Sequence, residues 1–255
     1  MKTRLLIAAS VILSALLAQS IAATSTSPTL LNPLTVSLAE SKIETTFLTG
    51  SVDTDGFVYT SRPVAQTEFT FPITGDYYGY VRHVGSLSMK TNPANEVFIS
   101  IGWAHEGAID IDLNFGYNDF VTLFKGPAED VWIATARVSK TYDLAFLGVW
   151  KPFAEVTNYK AAPKSSFTGG MRAQAGIEGK FDRGEHSVEY SCSFLRDDGT
   201  YDNKPLWLMN HTASILWKQG KSTIRFPGVS LYVPLTPHSG KKVSVVWSAG
   251  FIYDF

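Results

Sequence analysis

The stretch Lys242-Val243-Ser244-Val245-Val246-Trp247-Ser248-Ala249-Gly250-Phe251-Ile252-Tyr253-Asp254-Phe255 decides how the rest of the chain is read. Side chains alternate across a strand, so residues two apart share a face. Counting back from Phe255, one face carries Tyr253, Phe251, Ala249, Trp247, Val245 and Val243. The other carries Asp254, Ile252, Gly250, Ser248, Val246 and Ser244. This is a strand with one apolar face and one mostly small or polar face. Terminal residues of soluble domains usually fray, yet here the alternation runs into the last residue.

A final Phe preceded by apolar or aromatic residues at alternate positions resembles the insertion signal of Gram-negative outer-membrane β-barrels. The resemblance implies that Trp247, Ala249, Phe251, Tyr253 and Phe255 are read by the barrel assembly machinery, and that the protein resides in the outer membrane. A narrower likeness rests on Ser61-Arg62-Pro63-Val64-Ala65-Gln66 and Gly75-Asp76-Tyr77-Tyr78-Gly79-Tyr80. These segments are similar to the early strands of TorF-type porins, a family that defines no substrate.

Upstream, the sequence predicts strand after strand with no sustained helical period. Eleven strands are expected before the last. They are Ile43–Gly50, Val64–Phe71, Tyr77–Leu87, Asn95–Ala104, Ile109–Tyr117, Asp130–Val138, Tyr142–Lys151, Phe167–Phe181, Glu185–Leu195, Leu206–Lys218 and Lys221–Val233. Twelve strands in all is an even number, as bacterial single-chain barrels require. Short links such as Asp182-Arg183-Gly184 and Gln219-Gly220 alternate with longer ones such as Ser51 to Pro63 and Pro152 to Ser166. Short periplasmic turns opposite longer outer loops produce that asymmetry. The expected fold is an all-β, closed, antiparallel up-and-down transmembrane barrel.

Face alternation assigns an interior. Ile109, Ile111, Leu113, Phe115 and Tyr117 oppose Asp110, Asp112 and Asn114. In the eighth expected strand the polar face carries Arg172, Gln174, Glu178 and Lys180, and in the ninth Glu189. With Asp254 these residues are the expected lumen lining, and the apolar faces are expected to meet lipid. Trp207 and Trp217 share a face ten residues apart, a climb of roughly 23 Å at barrel tilt. They are expected at opposite membrane interfaces, with Trp103, Trp132 and Trp150 near other strand ends. His211 breaks the apolar face of the tenth strand. Arg82, Arg225 and Pro227 point to a bulge or register break in the third and eleventh.

At 255 residues the chain is long enough for one large β domain or two small ones. Its 22 basic and 23 acidic residues nearly cancel, which gives no basis for a nucleic-acid partner. Lys2 and Arg4 before an apolar run from Leu5 to Leu17, then Ser20-Ile21-Ala22, read as a secretory leader. The expected organisation is a leader over 1–22, a periplasmic lead-in over 23–42 and a barrel over 43–255. Cys192, the single cysteine, excludes an internal disulfide and reads as a small buried hydrophobe.

The sequence supplies no catalytic set, metal-ligand spacing or cofactor motif. His105-Glu106 lacks the second histidine of a metalloprotease helix. His186 and Ser187 are adjacent on a strand and point to opposite faces. The Asp110, Asp112, Asn114 row lacks the glycine and distal glutamate of a calcium loop. The expected function is a small passive channel for water-soluble solutes, with no strong charge preference because the lumen mixes signs. The alternatives are a plugged barrel whose outer loops bind a partner, above all Pro152 to Ser166, and an embedded lipid-modifying enzyme. Lipid, the assembly machinery and small polar solutes are the expected partners.

Overall fold

Twelve antiparallel strands carry the alternating pattern in a computed structural model that describes residues 40–49, 51–52, 58–60, 63–87, 95–120, 130–163, 165, 169–198, 205–236 and 243–255. The expected leader, almost all of the lead-in and much of the long connections lie outside the described residues. The barrel strands are β1 (Lys42–Leu48), β2 (Val64–Thr74), β3 (Tyr77–Ser86), β4 (Asn95–His105), β5 (Asp110–Phe120) and β6 (Val131–Ser139). They continue as β7 (Val149–Ala161), β8 (Gly170–Arg183), β9 (His186–Asp198), β10 (Pro205–Gln219), β11 (Ser222–Pro234) and β12 (Ser244–Asp254). Each pairs with its sequence neighbours, and β1 closes the sheet on β12 from Lys42 opposite Asp254 to Leu48 opposite Ser248. Closure leaves no free edge, so every strand satisfies its backbone groups within the wall.

Turn chemistry fixes the register. Gly75, Gly184 and Gly220 each take a positive φ, near +53°, +63° and +63°, in the links from β2 to β3, β8 to β9 and β10 to β11. A side chain is strained in that region, and glycine is not. At the C-terminus the Phe255 N–H donates to the Ser41 carbonyl at 2.9 Å. The Phe255 ring meets Tyr253 and Phe69 edge-on, and Phe69 stacks on Phe71. The final aromatic residue thus belongs to a strip of rings that crosses the β12, β1, β2 seam.

The seventh strand differs from expectation. It is Val149–Ala161 rather than Tyr142–Lys151, so Pro152 to Ala161 is barrel wall, not an outer loop. The reason lies in what Pro152 has to satisfy. Its carbonyl accepts from the Lys140 N–H at 3.2 Å, just beyond the last residue of β6, where a missing N–H breaks no ladder bond. Tyr142–Asp143 forms only a two-residue strand against Val149 and Trp150, and a 3₁₀ turn at Ala145–Leu147 completes the link. Partner binding through Pro152 to Ser166 therefore loses most of its loop.

The expected irregularity in the third strand lies away from Arg82: against β2 the register shifts between Pro72 and Thr74, opposite Tyr78 and Tyr77. Through β3, residues Tyr77 to Gly85 pair without interruption with Trp103 to Asn95. Arg82 is simply an inward residue, bonded to Glu96 across the lumen wall. In β11 the expected break is present: the register shifts between Arg225 and Gly228. The extra residue lets Arg225 and, beyond the shift, Gly228, Ser230 and Tyr232 share the inner face.

The outer skin is apolar and open. Ile101 is 61 % exposed, Phe115 58 % and Trp247 54 %, and Ile99, Leu113, Phe47 and Phe251 are exposed beside them. A water-soluble barrel of this size would fold such residues inward; here the burial is reversed.

Candidate functional site: the lumen

The inner wall is built from the second face of the same alternation, and its two sides differ. On the β3 to β7 side large residues fill the space. Phe98, Val131, Ile133 and Tyr159 form a buried cluster with Tyr80 packed against it. Nearer the turns, the Tyr78 hydroxyl donates to Asp112 at 2.8 Å, and the Asn114 amide donates to Ser100 at 3.0 Å and to Tyr78 at 3.3 Å. The wall is tight enough at Gly116 that an added Cβ would lie 2.5 Å from the Ile99 carbonyl.

On the β8 to β2 side the inward residues are mostly small, and a cavity of about 720 Å³ opens. Thr46, Ser191, Thr212, Ser214, Ser230 and Ser248 line it, with eight charged side chains among them. These are Glu44, Glu68, Glu178 and Glu189 against Arg82, Lys151, Lys180 and Arg225. Most of these charges are paired across strands, and Lys180 pairs along its own. Arg225 bonds Glu44 on β1 and reaches Glu189 on β9 at 3.2 Å. Lys151 meets Asp110 at 3.2 Å, and Lys180 meets Asp182 at 3.3 Å. Arg137 reaches Glu178 at 2.7 Å, while its guanidinium stacks 4.0 Å above the Phe153 ring.

Toward the loop end the inner wall turns apolar. Leu195, Leu208, Tyr232 and Val246 make a second buried cluster on the inner wall, with Leu48 against it. Leu208 is only 1 % exposed although it faces the interior of a barrel. Where the two sides meet, Arg172 on β8 bonds Asp197 on β9 at 2.6 Å and the Tyr159 hydroxyl on β7 at 2.8 Å. Both charged side chains are 5 % exposed or less. A buried pair of this kind holds only while both partners are present.

Most residues that alternation picked out join these networks. Asp110 accepts from Lys151 and Thr141, Asp112 and Asn114 belong to the Tyr78 network, and Gln174 donates to Ser193 at 2.8 Å. Glu178, Lys180 and Glu189 line the cavity, and Arg172 lies above it in the buried pair. Asp254 stands apart, exposed at the end of β12. Glu44, Arg137, Glu155, Tyr159, Asp197 and Arg225 are inner-wall residues that sequence reasoning missed. Three follow from strand register. Once β7 is Val149–Ala161, the alternation Lys151, Phe153, Glu155, Thr157, Tyr159 declares itself, and the β11 shift does the same for Arg225.

The aromatic residues sit near strand ends. Trp103 stacks on His105, Trp150 packs edge-on to Phe181, and Trp217 packs against His186, all toward the short turns. Trp132 lies against Phe115 and Tyr117, and Arg196 stacks over Trp207, toward the loops. The outward polar residue His211 has both ring nitrogens engaged: Nδ1 with the Tyr190 hydroxyl at 3.0 Å and Nε2 with the Cys192 thiol at 3.9 Å. Mutual satisfaction lowers the cost of placing a histidine on an apolar surface. Cys192 is half-buried beside it, not buried. Among the described residues no cluster of three or more His, Cys, Asp or Glu could hold a metal ion.

A closed twelve-stranded antiparallel barrel with an apolar skin and a charged interior defines an outer-membrane β-barrel of the Gram-negative type. Solved structures place it beside porins in fold. The NanC porin superposes with a TM-score of 0.57 at 7 % identity, over 84 % of this chain and 100 % of that one. The KdgM porin gives 0.53 at 10 % identity, over 84 % and 99 %. The COG4313 outer membrane channel from Pseudomonas putida F1 gives 0.54 at 10 % identity, over 89 % and 100 %. No protein-family profile matches the sequence, and no curated protein matches it. At these identities the likeness is one of fold.

Proposed function

We propose that the protein is a narrow, porin-like passive channel of the outer membrane for small water-soluble solutes. The single observation that carries this is the polar cavity of about 720 Å³ enclosed by an apolar-skinned, closed wall. An interior of serine, threonine and paired charges is wettable, and water is what a passive pore must hold. Four carboxylates face four cations on its lining, so the cavity itself carries no net formal charge and should show no strong preference between anions and cations. The expected lumen roles of Asp110, Asp112, Asn114, Arg172, Gln174, Glu178, Lys180, Glu189 and Asp254 belong to this proposal. So do the membrane-interface roles of the tryptophans and the reading of the last strand by the assembly machinery. The fold-level likeness to porins and an outer-membrane channel supports the reading.

Planar-bilayer recording of the refolded full chain tests it. The expected result is small, steady unitary steps with a reversal potential near zero across a potassium chloride gradient. A second reading, a barrel closed to solutes, draws on one observation: the apolar inner cluster around Leu208 and the buried Arg172–Asp197 pair toward the loop end. Bilayers that stay silent with folded protein inserted would favour that reading and sink the channel.

A further inference from the structure

The link between β6 and β7 is unlike the other described turns. It runs from Lys140 to Gly148 and exposes Tyr142, Leu144, Phe146 and Leu147, with Phe146 90 % exposed. Such a series on a flexible tether would be a liability, but this link is built. The Leu144 N–H donates to the Gly148 carbonyl at 3.0 Å, and the Leu147 N–H to the Leu144 carbonyl at 3.1 Å. The Ala145 N–H donates to the Asp143 carboxylate at 3.0 Å, and the Trp150 indole N–H to the Leu147 carbonyl at 2.8 Å. Gly148 sits at φ +80°, where a Cβ would lie 2.3 Å from the Lys180 carbonyl, which seats the link against β8. The N–H and carbonyl groups of Leu144, Ala145, Leu147 and Gly148 are all occupied, so burying the apolar side chains of this turn strands none of those groups.

Direction is set by register. Tyr142 pairs with Trp150, and Trp150 packs on Phe181 on the outer skin. Because the Trp150 indole reaches the Leu147 carbonyl, the link curls toward the outer surface rather than over the lumen. Lys140 stands 5.3 Å above the Tyr142 ring, a cation beside the apolar series. An aromatic and aliphatic tip with an adjacent lysine matches the membrane–water interface, where rings sit at headgroup level and lysines reach anionic groups. The surface is continuous with the lipid-facing wall through Trp150 and the exposed Val138.

We propose that Tyr142 to Leu147 is a membrane anchor that inserts into the interface of the lipid leaflet at the turn end of the barrel. The occupant of this surface is phospholipid, not a protein partner. The proposal rests on the barrel standing in a membrane and is independent of whether the lumen conducts.

The test uses the full chain carrying Cys192→Ser, with an environment-sensitive fluorophore on Phe146→Cys. Glu106→Cys, in the exposed β4–β5 turn at the same end, is the control. The proteins are refolded into phosphatidylcholine–phosphatidylglycerol vesicles, and gel mobility before and after heating verifies folding. The probe at Phe146 should be quenched severalfold more by lipid nitroxides placed near the headgroup than the probe at Glu106. It should also be severalfold less accessible to aqueous iodide. Leu144→Cys supplies the same readout at a second position. Equal iodide access at positions 146, 144 and 106 overturns the proposal. So does protection that is absent in pure lipid and appears only when periplasmic extract is added.

Discussion

The two sides of the lumen are made of the same strands, at the same repeat, and yet one is full and the other hollow. On the β3 to β7 side the inward positions hold Tyr78, Tyr80, Phe98, Ile133, Phe153 and Tyr159. On the β9 to β12 side, below the apolar cluster around Leu208, they hold Ser191, Thr212, Ser214, Ser230 and Ser248. Backbone geometry is common to both, so the difference is side-chain volume alone. A twelve-stranded wall lies between barrels that side chains fill and barrels that enclose a water channel. At that size the choice of inward residue decides how much of the lumen remains open, and here the decision differs from one side to the other.

The largest expected effect comes from the residue that joins the sides. Arg172 holds Tyr159 of the filled side and Asp197 next to the hollow one. Arg172→Ala removes the charged partner of a buried carboxylate, which costs about 3–5 kcal/mol. Urea unfolding of the vesicle-refolded barrel, followed by gel mobility, should show that loss. Combining it with Asp197→Ala should cost less than the two single changes together. A loss below about 1 kcal/mol, the scale of an exposed pair, would mean that the sides are not joined there.

Next in size is the same bulky substitution made on opposite sides. Ser100 is buried on the filled side and receives the Asn114 amide. Ser100→Trp has nowhere to put a ring and should cost about 1–3 kcal/mol through overpacking. Thr46 lines the cavity. Thr46→Trp should leave the unfolding midpoint nearly where it was, and should instead lower unitary conductance severalfold. If both variants lost stability equally, the cavity would not be open space.

How much of this was legible beforehand follows from the same physics. Period-two alternation is forced by the pleat, so strand number, barrel closure and the inward faces of β5, β8 and β9 could be read directly. The terminal strand was legible for the same reason. The β7 boundary was not, because Pro152 argues against a strand unless its neighbour is known to end at Ser139. That one shift hid Glu155 and Tyr159 on β7. Arg82 and Arg225 looked misplaced because alternation reports parity without saying where parity resets. For Arg225 the reset lies at the shift before Gly228; for Arg82 no reset exists. The lopsided filling was invisible, since it depends on which strands face each other across the lumen. The satisfied His211 was invisible too, because its partners Tyr190 and Cys192 lie on the neighbouring strand, 21 and 19 residues away.

The smallest expected effect concerns the balance of charge on the hollow side. Arg225 sits between Glu44 and Glu189. Arg225→Gln keeps hydrogen-bond donors of similar reach but removes one cation, leaving four carboxylates against three cations among the charges that line the cavity. An excess negative charge favours entry of cations. The reversal potential across a potassium chloride gradient should therefore move toward the potassium equilibrium value, by a modest amount because only one of the charges lining the cavity changes. Screening supplies the internal check. The Debye length falls from about 10 Å at 0.1 M to about 3 Å at 1 M salt, so the shift should shrink at high salt. A shift of equal size at both concentrations would come from altered pore shape rather than charge, and would place Arg225 with the packing residues of the filled side.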